Sequence, residues 1–190
     1  MAKDVPSCAA IACDLTNPSD VDGAFAEMTR RWGAPSVVIY NAHTIALAPF
    51  GGTSREAFED AWRVNCLGAF LVAQRSLPAM VERKRGTLIF TGATGSRRGG
   101  ARSAAFSSSK FALRGLSQSL AREHAQSGIH VAHVLLDGLV WSERTRARFS
   151  AAEESCMPPE RVAAAYLNLI EQDRMAWTHE LCLRPWMEKF

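Results

Sequence analysis

The sequence predicts a doubly wound α/β fold, a parallel sheet covered by helices. Three observations carry this. The runs AAIACDLT (9–16), SVVIYNA (36–42), GTLIFTGA (86–93) and HVAHVLLDG (130–138) are largely apolar rather than alternating, as strands buried on both faces are. Segments with apolar residues at helical spacing separate them. The runs end in Asp14, Asn41, the stretch TGAT and Asp137-Gly138, which places polar strand ends along one rim, where such folds bind ligands. Right-handed crossovers complete the topology.

Each element follows in order. AAIACD reads as a first buried strand. Asn17 can cap the next helix, with Pro18 in its first position and Asp20 in its first turn. The stripe Val21, Ala24, Phe25, Met28, Trp32 faces inward, and Gly33 stops it. After the strand SVVIYNA, Thr53 and Glu56 form a capping box that launches a helix to about Val81. Its inner stripe runs Phe58, Ala61, Trp62, Asn65, Ala69, Val72. A strand at 86–93 leads to a helix over 104–127, closed by Gly128. The strand at 130–138 is followed by a polar, irregular stretch, 139–157, a candidate substrate lid. A helix over 158–172 and a short strand within AWTHELCLRP (176–185) finish a single domain.

Composition narrows the function. Hydrophobic residues make up 47% and charged residues 22%, which fits an ordinary globular chain. No apolar run approaches the ~20 residues of a membrane span, and MAKDVPSCAA does not read as a secretory leader. The five cysteines are scattered without a C-x-x-C pair, which fits free thiols in a reducing cytoplasm. Net charge is +3, and the arginine clusters at 82–86, 96–102 and 142–148 carry no interleaved aromatics, so nucleic acid is not the expected partner. The five histidines show no metal-ligand spacing: His130 and His133, three apart on a strand, face opposite sides.

Two residues stand out chemically. Asn65 is an amide on a buried stripe, where it either ties two elements together or orders a water or a kink beside a site. Lys110 follows Phe106 by four residues and so stacks one turn from it, after the small, polar run Ser107, Ser108, Ser109.

The motifs CDLT, YNAH, WRVNCLGAF, GTLIFTGATGSRRG, AAFSSSKFALRGLSQSLARE and GIHVAHVLLDG, in this order and spacing, resemble those of short-chain dehydrogenases/reductases. The resemblance implies a Rossmann-like sheet, NAD or NADP as cofactor, a small carbonyl or alcohol substrate and a homo-oligomer. By position it implies that Asp14, with Leu15 beside it, lies where the adenine ring is held. Asn41 and Ala42 line the cofactor, with His43 in place of a glycine. Asn65 stands at the asparagine that holds a relay water, and Lys110 at the lysine that bonds the nicotinamide ribose. Val140 stands where the backbone meets the carboxamide. The helix pair 54–81 and 104–127 resembles the family's dimer bundle, and LRPWMEKF a tail that reaches a neighbouring subunit.

The chain departs from that pattern three times. The catalytic tyrosine position is Phe106, which has no ionisable group. The substrate-binding serine position is Ala93, leaving Ser96 or Ser103 as nearby hydroxyls. The motifs begin at the family's third strand, so the first two strands, their helices and the glycine-rich phosphate turn lack counterparts, as in a truncated or a true short form. AAIACD is then expected beside VVIYNA, or a partner covers the gap. Two functions follow: an NAD(P)-linked oxidoreductase with weak or lost turnover, or a non-catalytic dimerisation, sensing or scaffold protein. Trp141, Phe149 and Met157 are the apolar residues of the lid, which either line a substrate or belong to the core.

Overall fold

A computed structural model describes residues 8–188; Met1–Ser7 and the last two residues of the tail, Lys189 and Phe190, lie outside it, as does most of the leader reading. Four parallel strands form one sheet in the order β1-β2-β3-β4: Val37–Tyr40, Gly86–Ala93, Ile129–Leu136 and Glu180–Leu183. On one face α1 (Pro18–Trp32), α3 (Gly68–Glu82) and α4 (Ala104–His124) bury Val21, Val72, Leu77, Met80, Leu88, Phe90, Leu113 and Val131. The other face is covered by α6 (Pro159–Ile170), through Tyr166 and Leu169 on Ile89, Ala132 and Val134. Each fully buried aliphatic side chain contributes roughly 1.5–3 kcal/mol. The Rossmann-like expectation for the strands β1 to β4 holds.

The caps are chemical. Asn17 accepts the Ser19 N–H at the start of α1, Pro18 fills its first position, and Gly33 leaves it at φ 82°. Gly128, at φ 79°, closes the short 3₁₀ turn after α4. At α2 (Arg55–Trp62) the cap is Ser54, whose Oγ accepts the Ala57 N–H; the Thr53 hydroxyl donates instead to the Pro49 carbonyl. The expected Thr53–Glu56 box is therefore corrected by one residue.

Helices α2 and α3 run as one rod through a π turn at Arg63–Leu67. That turn inserts one extra residue into the 3.6 repeat. Ala61, Asn65, Ala69 and Val72 face inward, while Phe58 and Trp62, expected inside, are 42% and 43% exposed. The rod is long and apolar enough by composition to cross a membrane, but over half of its apolar window is buried within the fold. Trp32, at the far end of α1, is likewise exposed.

Three further expectations are corrected. Residues 9–13 form no strand and do not slide in beside β1, which among the described residues pairs with β2 alone. Cys13 and Leu15 pack on the α1–α3 core, and a turn closes from the Asn17 N–H to the Asp14 carbonyl. Those anchors hold the segment at the core, and a lone extended segment gains no ladder. β1 is consequently not buried on both faces: Ile39 is 44% exposed. The stretch 139–157 is more ordered than expected. It contains α5 (Glu143–Phe149) and closes on itself where Val140 bridges Met157.

Candidate active site

The carboxyl ends of β1, β2 and β3 open into a cavity of about 1080 Å³. Its lining is mainly apolar, with Ile39, Ile45, Leu47, Leu139, Phe149 and Leu167 around a few polar groups. Strand ends place those groups because a parallel sheet brings every carboxyl terminus to one rim.

Phe106 and Lys110 both line the cavity, one turn apart on α4. Phe106 is half-buried, and its ring carbons lie 3.1 Å from where a Cβ on Gly95 would sit. Lys110 is 2% exposed, and its Nζ donates to the Thr91 carbonyl at 2.9 Å. An ammonium has three donors, and this one uses a single acceptor. Desolvation without a counter-charge pushes its pKa down to about 8.

Asn65 is tied up completely. Its Oδ1 accepts the Thr44 N–H, and its Nδ2 donates to the Thr44 carbonyl and to Ser109 Oγ. It knots the loop after β1 to α4, from within the π turn, and does not line the cavity. Of its sequence readings, a tie between elements or a water or kink ordered beside a site, the geometry shows the tie.

Of the other expected residues, Asn41 and Val140 line the cavity, as does His43. His43 sits at the rim; desolvation, then the Lys110 charge, hold its pKa below the usual histidine value. Ala42 packs instead on the core. Asp14 and Leu15 lie outside the cavity lining. Asp14 folds its carboxylate onto the Thr16 N–H and hydroxyl, bonds that hold its pKa low, while Leu15 rests on the core. Ala93 is at the rim, with Thr94 beside it donating to Asp137.

Neither spare serine is presented to the cavity. Ser96 Oγ accepts the Ala93 N–H, and Ser103 Oγ is spent on Gly100 and Ser107. The phenol that does line the cavity is Tyr166, from α6, which sequence reasoning missed. Its hydroxyl meets Thr91 Oγ1 at 2.8 Å, and burial raises its pKa. The available signal was a tyrosine on the apolar stripe of that helix.

The stretch 139–157 is strapped across the cavity mouth. Thr145 and Phe149 line the cavity, and Arg148 Nη2 donates to the Ile45 carbonyl at 2.8 Å. Met157 is buried outside the cavity lining, and Trp141 is not part of that lining either. Among the described residues, no group of three or more His, Cys, Asp or Glu side chains could hold a metal ion.

The unsatisfied N–H groups of Lys110, with Asn41 and the Val140 backbone nearby in the lining, suit the nicotinamide-ribose end of a dinucleotide. At the start of α1, the Asn17 side chain already accepts the Ser19 N–H, so that helix end is closed to a phosphate.

Comparison with known proteins agrees with the architecture. The family model for short chain dehydrogenases matches residues 2–151. The 3-oxoacyl-[acyl-carrier-protein] reductase MabA of Mycobacterium avium is 30% identical over 158 residues, covering 82% of this chain and 62% of that protein. The sorbitol dehydrogenase of Cereibacter sphaeroides is 31% identical, over 72% of this chain and 55% of its own length. The chain thus spans under two thirds of these relatives. A short-chain dehydrogenase from Rhodopseudomonas palustris superimposes with a TM-score of 0.80 at 33% identity, covering 94% of this chain and 74% of that one. A metagenomic short-chain oxidoreductase solved with NADP shares the fold, with a TM-score of 0.75 at 24% identity. With its parallel sheet, its Lys110 one turn past Phe106 and a family match across most of its length, this chain belongs to the short-chain dehydrogenase/reductase family.

Proposed function

We propose that the cavity is the nicotinamide end of an oxidoreductase site that binds NAD or NADP and turns over small carbonyl or alcohol substrates weakly or not at all. The nicotinamide, when bound, supplies or takes up the hydride. Lys110 then bonds the ribose, Asn41 and the Val140 backbone orient the ring, and the strap at 139–157 limits water. Asn65 holds the loop and α4 in register. The proton step is what fails. One observation carries this: the side chain one turn before Lys110 is Phe106, which has no hydroxyl. Tyr166 is held by Thr91 with its pKa raised, so it is a poor donor near neutral pH.

Fluorescence titration with NADH and NADPH tests the reading, with micromolar binding of either expected. Phe106→Tyr combined with Ala93→Ser is then expected to raise reduction of a small ketone by about 10²-fold or more. Absence of binding by a folded chain sinks the proposal. It would leave the second reading, a non-catalytic dimerising protein, which the exposed aromatics Phe58, Trp62, Phe70 and Phe111 on the α2–α3 rod and α4 support. Self-association through those helices belongs to both readings. The five unpaired thiols favour a cytoplasmic setting.

A further inference from the structure

The lysine of this site stands in a chemical situation that ribose binding does not use up. Lys110 lines a mainly apolar cavity, is 2% exposed, and its Nζ is hydrogen-bonded to one backbone carbonyl. Glu188, the carboxylate of the lining, forms no ion pair with it among the described residues. Phe106 occupies the preceding turn, so no phenol stands at that position. A cavity of about 1080 Å³ leaves room for an apolar molecule against Phe106, Leu139 and Phe149.

We infer that Lys110 is an amine nucleophile that forms an imine with apolar aldehydes entering this cavity. The inference goes beyond the oxidoreductase reading and does not require dinucleotide binding. In the step, the Nζ lone pair bonds the carbonyl carbon and the C=O π pair moves to oxygen. The nitrogen loses a proton and the oxygen gains one, giving a carbinolamine. Protonation of that hydroxyl and departure of water then form C=N, and the last N–H proton returns to solvent. Amine and aldehyde become imine and water, with nothing oxidised or reduced. His43, a rim imidazole whose pKa is lowered by burial and then by the Lys110 charge, carries the proton between nitrogen and oxygen.

The depressed pKa supports this, since at neutral pH a lysine at about 8 keeps far more free amine than an exposed one. A purely structural Lys110, serving only to tie α4 to the Thr91 carbonyl, would label no faster than an exposed lysine.

The test is reductive trapping of the whole chain with benzaldehyde and cyanoborohydride at about pH 8, followed by peptide mapping. The four lysines, Lys3, Lys84, Lys110 and Lys189, separate by sequence, and exposed Lys84 is the internal reference. The N-benzyl group is expected on Lys110 about tenfold faster than on Lys84, with that preference abolished in concentrated guanidinium chloride. Lys110→Arg keeps the charge and the carbonyl contact and is expected to leave labelling only at the reference level. His43→Ala is expected to slow Lys110 labelling several-fold while leaving Lys84 unchanged. Labelling of Lys110 no faster than Lys84 in a chain with native circular dichroism overturns the inference. NADH and NADPH separate the two proposals. Protection of Lys110 supports both, whereas rapid labelling with no dinucleotide binding keeps the imine and removes the cofactor.

Discussion

His133 lies in the middle of β3 with its Nε2 buried and unbonded. The imidazole faces the Cα of Gly92, where a side chain would collide with it. Ser96 Oγ, 2.8 Å from that same absent Cβ, is turned to the Ala93 N–H instead. Burial pushes the pKa of His133 down to about 4; the charges of Arg114, Lys110 and His179 act in the same direction, and Glu180 opposes them. The folded state therefore resists a proton that the unfolded chain accepts near pH 6.5. Stability associated with His133 is complete above pH 6.5 and drains away as pH falls towards 4. Urea unfolding at pH 7 and pH 4 is expected to show a smaller acid loss in His133→Asn than in the native chain. The difference is on the order of 2 kcal/mol; equal acid losses would contradict it. At this scale the sequence was readable where periodicity decides. The Phe106–Lys110 pair and the opposite facing of His130 and His133 follow from helix and strand repeats. The unmet nitrogen of His133 does not, because it depends on where a neighbouring hydroxyl turns. Nor does the local turn of the Asp14 carboxylate onto Thr16.

Between α2 and α3, the π turn shows how one inserted residue redirects an element. Tyr40, the last residue of β1, is buried and donates its hydroxyl to the Val64 carbonyl inside that turn. Gly68 lets it do so: a Cβ there would strike the Tyr40 hydroxyl and come within 2.9 Å of the Leu15 carbonyl. Tyr40→Phe keeps the ring and removes the bond. It is expected to lower the unfolding free energy by about 1 kcal/mol, measured by denaturant titration at constant slope. No measurable loss would show that the turn holds without it. Helix boundaries were largely legible from Asn17, Pro18, Gly33 and Gly128. The outward turn of Phe58 and Trp62 was not, since a uniform 3.6 repeat cannot announce an extra residue. β4 is four residues long and was legible only as a short strand. The Arg114–Glu180 pair that ties it to α4, with both oxygens at 2.7 Å, joins residues 66 apart and leaves no local trace.

For the molecule as a whole, surface apolarity is the notable quantity. Ile39 on β1 and Leu167 on α6 flank the cavity at 44% and 56% exposure, where a single helix covers the sheet. On the other side, Phe58, Trp62, Phe70 and Phe111 stand out from the packed helices. Isolated apolar residues are ordinary at a surface, but four aromatics on adjoining helices suit a partner. Light scattering at micromolar concentration is expected to give a dimer for the native chain and a monomer for Trp62→Glu with Phe111→Glu, at unchanged far-ultraviolet circular dichroism. A native monomer would refute the self-association reading. The sheet's parallel sense was legible from alternating strands and helices. The absence of a strand over 9–13 was less so, because an apolar run states that a segment can pair, not that a neighbour is present.

The sheet also governs how the chain finds its shape. Val37 lies against Thr87, Gly86 against Ile129 and His133 against Glu180, so every ladder closes over more than forty intervening residues. Loops of that length must be drawn together before any interstrand bond rewards them, which makes refolding slow and leaves sticky, half-built sheets in the meantime. Dilution and low temperature during renaturation, rather than extra native stability, are what this topology asks of anyone preparing it.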